Sequence, residues 1–217
     1  MDMRAPATAP SPWLPFESRR RAREEKREAV LRTAVQLFLE QGYYRATLDD
    51  VAERLNITKP ALYNYFRSKE EILFACWMLG QERVDASISQ IERGKGNGLA
   101  KLRKLIHAYA ELLATDFGAG LVRFDVRDLG EKNRKIVEAA KRRVDRVFRK
   151  YLRDGIEDGS IKPCDVKLSA FAVAGSLNWI GYWYQRDGAL SPQQIAEEFA
   201  IRLTEGLASD QARRSSR

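Results

Sequence analysis

Residues 47–73 read TLDDVAERLNITKPALYNYFRSKEEIL, and their spacing predicts two short helices at a tight turn followed by the start of a third. Thr47 is placed to cap the first, with Asp50 three residues on and Leu48, Val51, Ala52 and Leu55 at helical spacing. Asn56 falls where a left-handed residue lets the chain turn, a conformation asparagine tolerates better than most residues. Thr58 opens the second helix with Pro60 just inside it. Ala61, Leu62 and Phe66 then face inward, leaving Thr58, Lys59, Tyr63, Asn64 and Tyr65 on a polar, aromatic and basic outer face. Ser68, with Glu71 three residues later, starts the third helix with a capping box. This is a helix-turn-helix, a motif whose second helix lies in the DNA major groove.

Upstream, a helix is expected from about Glu24 to Gln41, with Val30 or Leu31, Ala34, Val35 and Phe38 as its buried stripe and Gly42 as its stop. The run REAVLRTAVQLFLEQGY, then T-L-x-x-V-A-x-x-L, I-T-K-P-A-L-Y-N-Y-F and S-K-E-E-I-L together closely resemble the DNA-binding domain of TetR/AcrR-family transcriptional regulators, over roughly residues 24–79. Asn56 stands where that family more often has glycine. The resemblance implies an all-α, dimeric protein: an N-terminal three-helix DNA-binding domain and a larger C-terminal helical domain for ligand binding and dimerisation. It also implies that Thr47, Tyr63, Tyr65 and Lys69 hold DNA phosphates, Lys69 lying near a helix N-terminus that points at the backbone. Thr58, Lys59 and Asn64 are the candidates for base-edge or nearby contacts, and Asn64 has the chemistry to address adenine.

Composition agrees with a nucleic-acid partner. The chain has 217 residues, enough for one or two small domains, and carries 38 Lys and Arg against 30 Asp and Glu, a formal net charge of +8. Cys76 and Cys164 lie far apart with no metal or redox spacing, so buried free thiols are expected. His107 is the single histidine, which excludes a histidine-rich metal site and leaves one candidate base. No nucleophile elbow, zinc spacing or dinucleotide fingerprint is present. The expectation is therefore no catalytic residue, no metal and no cofactor. The first twenty residues have scattered prolines and no apolar run, unlike a signal peptide, and the apolar stretch 168–184 is short of a membrane span and contains Asn178. A cytoplasmic protein without a membrane partner is expected.

The organisation expected is a flexible basic tail over 1–22 ending in Arg19, Arg20, Arg21 and Arg23, a DNA-binding unit over 23–70, and a helical domain over 71–210. The arginine cluster is placed either to reach DNA or to remain a solvated tail. Gly94 to Gly98 forms a connecting loop that lacks the order of a phosphate-binding loop. Helices follow at about 99–117, 131–156, 165–185 and 192–207, with a short piece at 121–128.

In the penultimate helix, Phe171, Leu177, Trp179, Ile180, Tyr182, Trp183 and Tyr184 leave almost no polar face, so it packs on several sides at once, on a partner subunit, a cavity or both. With Ile195, Phe199, Ile201 and Leu203 on the last helix it is expected to form a homodimer interface that fixes the spacing of two DNA readers. Residues 177–207, LNWIGYWYQRDGALSPQQIAEEFAIRLTEGL, are similar to the C-terminal part of family members that control fatty-acid or sterol catabolism and commonly respond to acyl-CoA thioesters. Arg142, Arg143, Arg146, Arg149 and Lys150 would meet CoA phosphates, although Glu138, Asp145 and Asp154 on the same helix also suit a plain solvated face. The candidate ligand residues are Tyr109, Leu113, Arg146, Phe148, Trp179, Tyr182 and Trp183. A drug-like or aromatic ligand is the alternative, with Glu111, Asp116 and Asp125 as acids for a cation. A constitutive architectural DNA-binding protein without a ligand is the alternative of another class.

Overall fold

The structure is a computed structural model that describes residues 16–208. Those residues form nine α-helices: α1 Phe16–Gln41, α2 Leu48–Arg54, α3 Lys59–Tyr63, α4 Lys69–Arg93, α5 Gly98–Leu113, α6 Asp116–Arg123, α7 Glu131–Glu157, α8 Val166–Trp183 and α9 Pro192–Glu205. A single 3-10 turn, Val126–Asp128, lies between α6 and α7. Among the described residues no strand forms, and the one β-bridge joins Ile161 to Ala208. The all-α expectation holds.

Local chemistry fixes the first four helices. Thr47 Oγ1 accepts from Asp50 N while Asp50 Oδ2 accepts from Thr47 N, the reciprocal capping box. Asn56 has φ +51°, the left-handed turn expected of it, and Gly42 ends α1 at φ +89°. Thr58 and Ser68 cap α3 and α4 through Ala61 N and Glu71 N. Val30, Leu31, Ala34, Val35 and Phe38 are buried as expected, against Val51, Leu62, Phe66, Ile72 and Leu73.

Two boundaries differ from the expectations. Helix α1 starts at Phe16 rather than Glu24, because apolar periodicity marks only its buried half. Its first turns are polar and are held by exposed i,i+4 pairs, Arg20–Glu24 and Arg21–Glu25. Residues 16–22 of the expected tail are thus helical, and residues 1–15 lie outside the described residues. The helix expected over 99–117 is two helices. Thr115 Oγ1 donates to Leu112 O and accepts from Gly118 N, ending α5 and capping α6 within one turn. A Cβ at Gly118 would stand 1.9 Å from Leu112 O, so this turn requires glycine.

α5 is the centre of the larger part, packed by α9, α7, α8 and α4, while α6 bridges α1, α4 and α8. The α5–α7 crossing is backbone on backbone: a Cβ on Gly98 would lie 2.1 Å from Gly155 N. One continuous apolar core runs through both parts, and α4 belongs to each, with Ile72 and Leu73 at one end and Trp77, Val84, Ile88 and Ile91 beyond. Cys76 is buried in it, its thiol pushed up to about 12 by desolvation, whereas Cys164 is only partly buried, so the expectation of two buried thiols holds for one.

Candidate functional site

Thr58, Lys59, Tyr63 and Asn64 are exposed together on α3 and its C-terminal cap, with Tyr65 half-buried beside them. Lys59 Nζ lies 2.6 Å from Asp49 Oδ2, and that carboxylate raises the pKa of the ammonium. Both partners are well exposed, so the pair costs little to break when another anion arrives. Thr47 uses its oxygen as an acceptor for Asp50 N, which leaves the hydroxyl proton free. The first turns of α1 come alongside: Arg20, Arg23 and Arg27 share a groove of about 710 Å³ with Tyr63, Asn64, Tyr65 and Arg67. Arg20 and Arg23 belong to the basic cluster expected in the tail, where the sequence did not place them on a helix; Arg27 was not part of that cluster.

Lys69, expected at a phosphate, makes contacts within the protein. Its Nζ donates to the carbonyls of Tyr43, Tyr44 and Ala46 at 2.6, 3.3 and 3.0 Å, and sits 4.7 Å from the Tyr43 ring centroid. All three N–H donors have acceptors within the protein. Lys69→Ala is expected to lower stability by about 1–3 kcal/mol, seen as a lower Tm, and to leave the salt dependence of DNA binding unchanged. A slope flattened by about one unit would instead restore the phosphate contact.

A second site lies in the larger part. A cavity of about 340 Å³, open to solvent on one side, is lined by Trp77, Gly80, Gln81 and Val84 of α4, Tyr109 of α5, Leu121 and Val122 of α6, and residues of α7 and α8. Of the expected ligand residues, Tyr109, Phe148 and Tyr182 line it. Burial pushes the Tyr109 phenol up to about 12, and Tyr182 Oη donates to Val122 O at 3.0 Å. Leu113 is fully buried in the core outside this lining, and Arg146 projects from the exposed side of α7. Trp179, 62% exposed, and Trp183, 37% exposed, also stand outside the lining, because the outer face of α8 points away from the cavity. Residues not singled out as ligand contacts, Trp77, Lys141, Asp145 and Asn178, complete the wall. Asn178 was legible as the polar interruption of an otherwise apolar helix; the others were not.

Most of the basic face of α7 is paired: Arg142 with Glu138, Arg143 with Asp85, Arg149 with Asp145, and Lys150 with Asp154 and Glu92. Arg146 makes no ion pair among the described residues. The acids considered for a cationic ligand are engaged elsewhere. Glu111 accepts from Gln193, Asp116 from Gln36 and Arg186, and Asp125 is pulled to about 2 by hydrogen bonds from Arg127. None of the three lines the cavity.

The cavity and the DNA-facing unit are mechanically joined. α4 runs from the DNA-side core into the cavity wall, and α6, also in the wall, meets α1 through Gln36 Nε2 and Asp116 Oδ2 at 3.0 Å. Tyr44 hydrogen-bonds Asp128, and Glu70 Oε1 accepts from Gly130 N at 2.8 Å. His107 lies 3.8 Å from Glu197 on the α5–α9 packing surface. Among the described residues no group of three or more metal-ligating side chains assembles, and no helix is long and apolar enough to cross a membrane.

Comparison with known proteins agrees with this architecture. Residues 30–76 match the family described as bacterial regulatory proteins, tetR family, and residues 95–207 match the tetracyclin repressor-like C-terminal domain. The HTH-type transcriptional repressor KstR2 of Mycolicibacterium smegmatis is 25% identical over 200 residues, covering 86% of this chain and 92% of that protein. The fatty acid metabolism regulator protein of Bacillus subtilis is 27% identical over 166 residues, covering 73% and 83%. The crystal structure of AibR in complex with isovaleryl coenzyme A and operator DNA superposes with a TM-score of 0.70 at 24% identity, covering 82% of this chain and 97% of that one.

Proposed function

The chain belongs to the TetR family of bacterial regulatory proteins, and on that premise we propose that it is a dimeric repressor released from its operator by an acyl-CoA thioester. The observation that carries this reading is the shared helix: α4 is anchored among the DNA-side core residues and forms one wall of a ligand-sized cavity. A constitutive architectural protein has no use for such a cavity.

On the DNA side, residues 23–70 act as the reader. Thr58, Lys59 and Asn64 address base edges, while Thr47, Tyr63 and Tyr65 hold phosphates. Arg20, Arg23, Arg27 and Arg67 extend the phosphate contacts along the groove beside α3. Asn64→Ala is expected to cost about 1–3 kcal/mol at a single base pair and to relax the choice there, measured by binding to operators substituted one pair at a time. Equal loss on every sequence would assign Asn64 to the backbone instead.

On the effector side, residues 71–210 bind ligand and dimerise. At about 30 Å³ per water-sized group the cavity holds on the order of ten non-hydrogen atoms, which suits an acyl chain and not a whole CoA. The nucleotide therefore stays outside, where Arg142 and Arg146 on the exposed side of α7 offer phosphate partners. The fatty-acid regulator among the relatives and the coenzyme A thioester bound by AibR support this ligand class. A ligand shifts the equilibrium only by its differential affinity for the two states, so an acyl chain wedged between α4, α7 and α8 favours the geometry in which α4, and the reader fixed to it, has moved. Titration of the protein with decanoyl-CoA by calorimetry tests the ligand. Saturable binding competed by operator DNA supports the reading, and absence of binding removes the thioester while leaving the repressor.

A further inference from the structure

The polar atoms of the cavity wall are unevenly satisfied. Asp145, its one carboxylate, is paired with Arg149 at 2.8 Å. Lys141 carries no ion pair among the described residues; its ammonium lies over the Trp77 ring, 4.3 Å from the centroid, where desolvation lowers its pKa. Trp77 Nε1 and Asn178 Oδ1 are cut off from solvent without a hydrogen-bond partner. Rotating the Asn178 amide by half a turn exchanges its oxygen for two N–H donors at the same place. The site thus holds an exposed cation at its edge, a buried indole N–H and an amide able to donate, the last two unanswered, and no free carboxylate. Leaving such groups unpaired is costly, and a ligand that satisfies them recovers that cost on binding.

We infer that the cavity is built for a ligand whose buried part carries a carbonyl or carboxylate oxygen, held by Lys141, Trp77 and Asn178, and that it rejects cations and plain hydrocarbon. This rests on the cavity being the effector site. The oxygen has two sources, the thioester carbonyl of an acyl-CoA or the carboxylate of a free acid, and the probes separate them.

Calorimetry would compare decanoyl-CoA, decanoate, decylamine and free CoA on the wild type, Lys141→Met and Asn178→Leu. Lys141→Met is expected to weaken the acyl probe by about 10- to 100-fold and Asn178→Leu by about 3- to 10-fold, with no binding of decylamine. Loss on decanoate as well as on the thioester places a carboxylate at the site; loss on decanoyl-CoA alone places the thioester carbonyl there. Unchanged affinity in both variants, or binding of decylamine, overturns the inference. If no acyl probe binds the wild type, the effector reading fails, and the polar site is judged on the ligand-free protein. Replacing an unsatisfied amide by its apolar near-isostere is expected to raise Tm by about 2–4 °C. A lower Tm in Asn178→Leu would mean that the amide already has its partner, and the inference falls.

Discussion

Trp179→Glu is expected to give a folded monomer that binds operator DNA about 10²–10⁴-fold more weakly than the wild type. Leu168, Phe171 and Trp179 are 65%, 53% and 62% exposed and lie at helical spacing down the outer face of α8. Gly175 sits in the middle of this stripe, and a Cβ there would meet nothing within 4 Å, which leaves room for a second helix to approach closely. An aromatic stripe of this size on a single chain calls for a cover. A second copy of the same chain supplies one by two-fold symmetry and sets two readers at a fixed spacing along DNA. A glutamate at position 179 places two carboxylates near each other across that axis, while costing the isolated chain little, because Trp179 is not part of its core. Sedimentation and operator titration check this. A Trp179→Glu protein that remains a dimer with full affinity would move the interface elsewhere.

Gly98→Ala carries the largest expected effect on stability. The new Cβ would lie 2.1 Å from Gly155 N and 2.3 Å from Gly155 Cα, and neither backbone atom can rotate away. Helices α5 and α7 must separate, loosening a core that includes Leu102, Leu152 and Tyr151. Overpacking of this kind costs about 3 kcal/mol or more, well above the ~1 kcal/mol that alanine gains over glycine in a helix. At roughly 2–4 °C per kcal/mol, Tm should fall by more than about 4 °C even after that gain. Gly155→Ala is the control. Its Cβ meets the Ile161 side chain, Cδ1 at 2.5 Å, which can change rotamer, so the loss should be smaller. Thermal unfolding that ranks the two in the opposite order would contradict the crossing.

The parts of the molecule legible in the sequence are those that short-range chemistry decides. Thr47, Thr58 and Ser68 cap the helices expected of them, and Asn56 takes the left-handed turn, because each depends on neighbours three or four residues away. The start of α1 escaped notice because its first turns bury nothing and show no apolar period. The cavity was harder. α8 is apolar nearly all round, so periodicity does not say which of its aromatics face inward: Tyr182 touches the cavity while Trp179 and Trp183 do not. On α7 the wall is made by Lys141, Val144, Asp145 and Phe148, and Arg146 lies on nearly the opposite side of the helix, a choice of face that only the packing of α4 and α8 defines. Lys69 shows the same limit. Nothing in the spacing around this lysine shows the three carbonyls that the fold brings to it.

The central claim is that one protein couples operator binding to an acyl thioester. Its most direct test is the affinity of the purified protein for DNA from immediately upstream of its own gene, measured with and without decanoyl-CoA. The account predicts specific binding that decanoyl-CoA weakens by at least tenfold and that free CoA leaves unchanged. Specific binding of equal strength in all three conditions would contradict the coupling, and binding that is salt-sensitive but blind to sequence would contradict the repressor itself.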